Sequence, residues 1–240
     1  SKVKQKKPWV RVGISPFGIW RPGVPAGTTE TIDAYHHLAA DSRKWLQQGW
    51  CDYLSPQLYW RIKSPQSFSR LIAWWRSQGA RPVWPGIASA RINSSEDPGR
   101  RASEIANQVS LTRTVGKNYV GHVFWSMKSL MTNKGGISNE LVKKFYQEPA
   151  LVPPMPWSSR NLPQTPNVLA KGSNGNLDLV WRSVPGCSQY AIQVRVGRAW
   201  RLITVVRGTK VTLKGLPDAI AVSAVDRYGN TSNPRVLARP

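Results

Sequence analysis

Between residues 149 and 166 the chain carries Pro149, Pro153, Pro154, Pro156, Pro163 and Pro166. Proline has no backbone N–H and fixes φ, so neither a continuous helix nor a central strand can run through this stretch. It reads as a stiff, extended linker over 151–166, with one domain over 1–150 and another over 167–240. The two flanks obey different hydrophobic periods, which points to two folds rather than one.

Upstream, short apolar runs alternate with segments of helical period. Val10 to Ile14 alternates and stops at Ser15-Pro16, which predicts a strand; Gly and Pro then crowd a loop from Phe17 to Gly27. A helix is expected from Thr31 to Gln48, with Ile32, Tyr35, Leu38, Ala39, Trp45 and Leu46 on one face. Tyr53 to Leu58 predicts a buried strand, and Ser64-Pro65 predicts the start of a helix carrying Phe68, Leu71, Ile72 and Trp75. A proline-weakened strand follows at Pro82 to Ala88. Asp97-Pro98 predicts a helix with Ala102, Ile105, Ala106 and Val109 inward and Gly116 at its end. Tyr119 to Trp125 is the most apolar strand, and Ser138 is expected to cap a helix with Leu141, Val142, Phe145 and Tyr146. Repeated strand–helix units imply a parallel sheet with helices outside. A closed eight-fold barrel needs about 250 residues, so this part of the chain amounts to half of one.

Downstream, the helical period vanishes. Alternating segments at Asn176–Trp181, Gln189–Val196, Trp200–Val206, Lys210–Leu213, Ile220–Val225 and Arg235–Ala238 are separated by turn residues, with Gly172 to Gly175 forming the first turn. This predicts an antiparallel β-sandwich with Trp181 and Tyr190 as core aromatics.

The formal net charge is +22, and it is spread along the chain. Residues 1–156 hold 22 basic and 9 acidic side chains (+13), and residues 157–240 hold 12 and 3 (+9). Such a surface suits an acidic polymer or is simply solvated. No nucleic-acid motif accompanies it, so nucleic acid is not expected as a partner. No run approaches the ~18 apolar residues of a membrane span, and no signal peptide is visible. Cys51 and Cys187 fall in different predicted domains, which argues against a disulfide. His36, His37 and His122 lack metal-ligand spacing, and no Gly-rich phosphate loop is present, so no metal or cofactor is expected.

In β/α folds, side chains at the C-terminal ends of the strands face the ligand. Those positions are Ser15, Phe17 and Trp20 after the first strand, Gln57, Tyr59 and Trp60 after the second, and Trp125, Ser126 and Lys128 after the last. Aromatic faces with polar tips, an amide and hydroxyls suit a sugar ring, and Lys128 suits a carboxylate on an acidic glycan. The same aromatics would serve equally as packing. No strand ends in Asp or Glu. Glu30 and Asp33 fit a helix N-terminus, Asp41 reads as a mid-helix partner of Arg43 or Lys44, and Asp52 begins a strand at the end of a barrel that serves stability.

Several phrases share one family resemblance. Ile14-Ser15-Pro16-Phe17-Gly18-Ile19-Trp20-Arg21, Ala40-Asp41-Ser42-Arg43-Lys44-Trp45, Asp52 through Trp60, Trp74-Trp75, Phe124 through Leu130 and Ala150 through Trp157 resemble, in order, the glycosyl-hydrolase-like family 10 proteins. The resemblance covers 8–157. It implies the second half of a bacterial, extracytoplasmic (β/α)8 TIM-type barrel, followed by a fibronectin type III-like sandwich. It also implies a glycoside hydrolase acting on cell-envelope glycan, with peptide-free peptidoglycan strands as the suggested substrate. Family members carry an Asp-Asp-Tyr type motif in an earlier half-barrel, and nothing in residues 1–240 matches it. The catalytic carboxylates are therefore expected in a missing N-terminal half, and catalytic residues within this chain are unknown. The alternative is a non-catalytic carbohydrate- or cell-wall-binding module. Four parallel strands alone leave open edges, so the missing half-barrel or a second copy is an expected partner.

Overall fold

The computed structural model describes residues 2–29, 32–115 and 120–238. Thr31, Glu30, Gly116 and Tyr119, which bear on the expected helix and strand limits, lie outside the described residues. The chain divides into two compact units, one spanning Arg11–Phe145 and the other combining Lys2–Val10 with Tyr146–Pro240. A short helix α1 (Lys2–Lys6) belongs to the second of these.

The first unit contains β1 (Gly13–Ile14), α2 (Ala34–His37), α3 (Ser42–Gln47), β2 (Tyr53–Leu54), α4 (Phe68–Ser77), β3 (Gly86–Ile87), α5 (Ala102–Val115), β4 (Val123–Phe124), α6 (Met127–Met131) and α7 (Ile137–Lys144). The strands are shorter than their apolar runs but keep the expected parallel sense. Gly13 pairs with Tyr53 and Ile14 with Leu54; Gly86 pairs with Val123 and Ile87 with Phe124. Parallel bridges Leu54–Val83 and Gln57–Gly86 join the two pairs into one array ordered β1-β2-β3-β4. Among the described residues β1 and β4 do not pair with each other, so the array does not close.

One face of this array is covered. Phe68, Leu71, Ile72 and Trp75 of α4, Ile105 and Val109 of α5 and Ile137 and Leu141 of α7 pack with Leu54, Leu58, Val83 and Ile87 in a single buried cluster. The spacings i, i+3, i+4, i+7 in α4 put its four apolar residues on that side. The opposite face is formed differently. Tyr53 and Trp84 lie with ring centroids 4.4 Å apart. Two glycines make room for them: a Cβ on Gly13 would enter the Tyr53 ring, and one on Gly121 would sit 2.8 Å from Trp84 Cδ1. Ile14, Val123 and Trp125 are exposed.

Several expected helix limits shift, each for a capping reason. The expected Thr31–Gln48 helix is broken in two. Asp33 accepts from the His36 N–H and starts α2, Ala39 takes φ 49°, and Asp41 accepts from the Lys44 N–H and starts α3. Asp41 is thus an N-cap and not a mid-helix surface residue. Ser67, not Ser64, caps α4 by accepting from the Arg70 N–H. The third long helix begins at Ala102, because Asp97 is taken up by arginines. Asn133 Oδ1, not the Ser138 hydroxyl, receives the N–H groups of Ser138 and Asn139 at the start of α7; Ser138 Oγ instead donates to the Leu130 carbonyl.

The second unit is an antiparallel two-sheet sandwich. Its strands are β5 (Val168–Ser173), β6 (Asn176–Trp181), β7 (Cys187–Val196), β8 (Ala199–Val206), β9 (Lys210–Lys214), β10 (Ala219–Asp226) and β11 (Arg235–Ala238). One sheet runs β5-β6-β9 and the other β11-β10-β7-β8. Leu179, Trp181, Tyr190, Ile192 and Val222 fill the space between them, with the Trp181 and Tyr190 rings 5.1 Å apart. The buried Tyr190 hydroxyl accepts from the Val184 N–H at 2.8 Å. The sequence reading missed β5, where Val168 faces the core but Leu169 is exposed and no alternation follows. The turn into β6 is confined to Asn174 (φ 49°) and Gly175 (φ 75°), narrower than the expected Gly172–Gly175. That is the two-residue hairpin chemistry of an Asn-Gly pair.

The proline-rich segment is not a free spacer over its whole length. Met155 is fully buried and its N–H donates to the Tyr228 carbonyl. Asn230 Nδ2 lies 3.3 Å from the carbonyls of both Ser159 and Asn161, and Thr165 Oγ1 donates to the Asn233 carbonyl. Residues 155–165 are therefore a strap on the sandwich.

Candidate functional site

In the first unit a cavity of about 280 Å³ opens on the face opposite the helices, at the C-terminal side of the strands. Its walls are Gly13, Ile14, Ser15, Tyr53, Ser55, Tyr59, Gly86, Val123, Phe124 and Trp125. Three of the nine residues expected at the site, Ser15, Tyr59 and Trp125, meet here. Ser15 Oγ donates to the Ser55 carbonyl at 2.9 Å, which joins the first two strand ends. Tyr59 reaches the cavity across Gly86, where a Cβ would stand 3.3 Å from Tyr59 Cε1. Burial raises the Tyr59 phenol above its ordinary pKa, against the opposing pull of Arg91, so at neutral pH its O–H is a donor. The Trp125 N–H donates to the Ile87 carbonyl while its side chain stays 62% exposed. An indole anchored by its backbone and open on its face is suited to stacking.

Behind Tyr59 lies an arginine cluster. Arg100, whose side chain is fully buried, donates from Nη1 to the Tyr59 carbonyl at 3.0 Å and pairs with Asp97 at 3.3 Å. Arg61 Nε binds the other Asp97 oxygen at 2.9 Å, and Arg91 lies with its guanidinium 5.9 Å from the Tyr59 ring centroid. Burial lowers the Arg100 pKa, with Asp97 and Glu104 acting to raise it. The cluster fixes the Tyr59 backbone. Sequence reasoning missed it, because nothing in the spacing of Arg61, Arg91 and Arg100 announces one centre.

The other expected site residues stand elsewhere. Gln57 is beside the cavity, its Nε2 donating to the Ser15 carbonyl at 3.4 Å. Phe17 and Trp60 meet edge to face at 5.7 Å and pack on the buried cluster. Trp20 stacks on Trp74 at 6.2 Å and meets Tyr35 edge-on, with Arg43 and Arg21 over its ring. It therefore belongs to the packing between the loop after β1 and α4. Ser126 begins α6 and gives its carbonyl to Ser129 Oγ at 2.6 Å; Lys128 is exposed on that helix. Tyr53, Ser55 and Ile14 are cavity walls the sequence reading did not single out. The period-two alternation of their strands carried the signal, since Tyr53 and Leu54 must face opposite ways.

No acidic side chain lines the cavity among the described residues. Asp52 is buried and accepts the Val12 N–H at 2.8 Å, tying the entries of β1 and β2. Burial would raise the Asp33 pKa, but the His36 N–H and Arg21 lower it more, so it lies below the ordinary carboxylate value. Among the described residues no group of three or more His, Cys, Asp and Glu side chains could hold a metal ion, and no helix is long and apolar enough to cross a membrane. Cys51 and Cys187 are both free thiols.

Residues 1–98 match the family described as glycosyl hydrolase-like 10, in agreement with the resemblance carried by the motifs. The chain is 37% identical over 186 residues to glycosyl hydrolase YngK of Bacillus subtilis (strain 168), a match covering 73% of this chain and 36% of that protein. It is 40% identical over 77 residues to glycosyl hydrolase DigH of Escherichia coli (strain K12), covering 30% of this chain and 18% of that protein. The chain thus spans about a third or less of the length of these curated relatives. Among solved structures, a Fn3-like protein from Clostridium thermocellum is similar at 21% identity and TM-score 0.26, covering 33% of this chain and 93% of that one. The glycoside hydrolase domain Spr0440, Endo-D, from Streptococcus pneumoniae R6 is similar at 18% identity and TM-score 0.29, covering 33% of this chain and 15% of that one.

Proposed function

With residues 1–98 matching the glycosyl hydrolase-like 10 family, we propose that the first unit is the sugar-positioning part of a glycoside hydrolase of the cell envelope. Its site is the cavity where Ser15, Tyr59 and Trp125 converge, and that convergence carries the reading. Trp125 supplies a stacking face, Tyr59 a phenol donor held by the arginine cluster, and Ser15 a hydroxyl. Gln57, next to Ser15, orients the rim. Phe17, Trp20 and Trp60 act through packing, and Lys128, exposed on α6, would meet an acidic substituent of the same glycan.

Glycoside hydrolysis generally uses two carboxylates flanking the scissile bond, about 5–9.5 Å apart. With no carboxylate on the wall, we assign that pair to a partner segment that completes the barrel. Parallel sheets are as a rule covered on both faces, and here Ile14, Val123 and Trp125 stand exposed on one. Four further strand–helix units of the same fold, covalently attached or in another chain, would cover them and bring the acid. Peptide-free peptidoglycan strands are the proposed substrate, outside the cytoplasm. The carboxylate-free wall also favours a second reading, in which the unit holds glycan without cleaving it.

Binding of peptide-free glycan strands, measured by calorimetry on the intact chain, tests the common element. Trp125→Ala should weaken binding about tenfold, as expected for loss of roughly 1–1.5 kcal/mol of aromatic contact. An affinity unchanged by both Trp125→Ala and Tyr59→Ala would sink the assignment. Activity appearing only when the complementary half-barrel is supplied would select hydrolase over binding module.

A further inference from the structure

The second unit has a larger cavity, about 550 Å³, formed by the strap, the turn into β7 and the turn after β10. That volume lies within the usual range of small-ligand sites. We propose that it is a second glycan-binding site, for a carboxylate-bearing segment of the same polymer; the choice of ligand rests on the glycan reading of the first unit.

Its walls are pinned before any ligand arrives. Asp226 Oδ1 accepts the N–H groups of Tyr228 and Asn230, both at 2.8 Å, and Oδ2 accepts from Asn230 Nδ2 at 3.0 Å. Both Asp226 carboxylate oxygens are thereby engaged by their own turn, which leaves Arg227 as the cation of this wall. Buried Asn230 carries the same network to the Ser159 and Asn161 carbonyls, which fixes the strap. The Arg227 guanidinium sits 4.6 Å from the centre of the half-buried Trp9 ring. A cation over an indole holds both side chains in place.

The chemistry displayed on these walls is mixed in the way a sugar requires. Trp9 and Tyr228 offer ring faces, Asn161 an exposed side-chain amide, and Arg227 a positive charge. Over residues 157–240 basic side chains outnumber acidic ones by 12 to 3, a complement to an anionic chain. Cys187 also lines this cavity and is partly exposed, whereas Cys51 is 2% exposed in the first unit. Cys187 is therefore a built-in reporter of occupancy.

The test uses the whole chain and follows maleimide modification of Cys187 by peptide mapping, with and without peptide-free peptidoglycan strands. At a strand concentration ten times Kd, protection should slow labelling about elevenfold. Trp9→Ala should abolish protection, and so should Asn161→Ala, whose exposed side chain can be removed without disturbing the core. Trp125→Ala in the first unit should leave protection intact. If strands bind through Trp125 while Cys187 labels at its free rate, the second site is wrong and the first reading stands. If strands bind nowhere, both fall. Equal protection by neutral N-acetylglucosamine oligomers would overturn the anionic preference, and protection by a proline-rich peptide but not by strands would reassign the cavity to peptide.

Discussion

Acidification should destabilise the first unit through one histidine. His122 precedes β4 with its ring 4.8 Å from Phe124, and burial, assisted by Arg113, lowers its pKa from 6.5 to about 4. The folded state therefore binds a proton less readily than the unfolded chain. The stabilising contribution is complete above pH 6.5 and is lost as the pH falls from there towards 4. Linkage with these two values gives a loss of about 2 kcal/mol at pH 5, against about 0.2 kcal/mol at pH 7. Partial exposure of the ring makes this an upper figure. Urea unfolding followed by Trp fluorescence reports mainly this unit, which holds 8 of the 12 tryptophans. With a slope of about 2 kcal/mol per molar, the midpoint should drop by roughly 1 M between pH 7 and pH 5. His122→Gln cannot take up the proton, so its midpoint should move by about 1 M less than that of the parent chain. Parallel pH profiles for the two proteins would refute the burial argument.

Four further perturbations test packing and caps. Tyr190→Phe leaves the buried Val184 N–H without its acceptor and should cost the sandwich about 1–3 kcal/mol, read as a lowered unfolding temperature of the second unit. Trp75→Phe removes a buried indole bond to the Gly18 carbonyl; it should destabilise the first unit by a similar amount, about 1–3 kcal/mol, and raise hydrogen exchange in the loop after β1. Gly18→Ala puts a Cβ against the Gln57 carbonyl oxygen and 2.7 Å from Trp60 Cζ3. Because the first of these is backbone, this variant should weaken glycan binding as well as stability, whereas Asp41→Ala, which removes only the cap of α3, should cost about 1 kcal/mol and leave binding unchanged.

Periodicity made both units legible, because burial on one face writes itself into a sequence at spacings of two or of three and four. Phe68, Leu71, Ile72 and Trp75 could be placed inward before any coordinates, as could Trp181 and Tyr190. Caps were less legible: Ser64 and Ser67 offer the same hydroxyl, and only the path of the chain decides which one meets a free N–H. The candidate site was legible in part. Strand ends pointed to Ser15, Tyr59 and Trp125, which line one cavity, but position along the chain does not reveal which way a loop turns, and Trp20 turned towards Trp74. Arg61, Arg91 and Arg100 lie up to 39 positions apart and converge only in three dimensions.

The strap has a mechanical consequence. A pull on the chain upstream of Met155 is not delivered first to the edge strand β5, which could be unzipped one hydrogen bond at a time. It is taken up at Met155, Ser159 and Asn161, bonded to Tyr228 and Asn230 in the turn that follows β10. That strand is held on both sides, by β7 and β11. Tension therefore reaches the interior of the sheet before its margin.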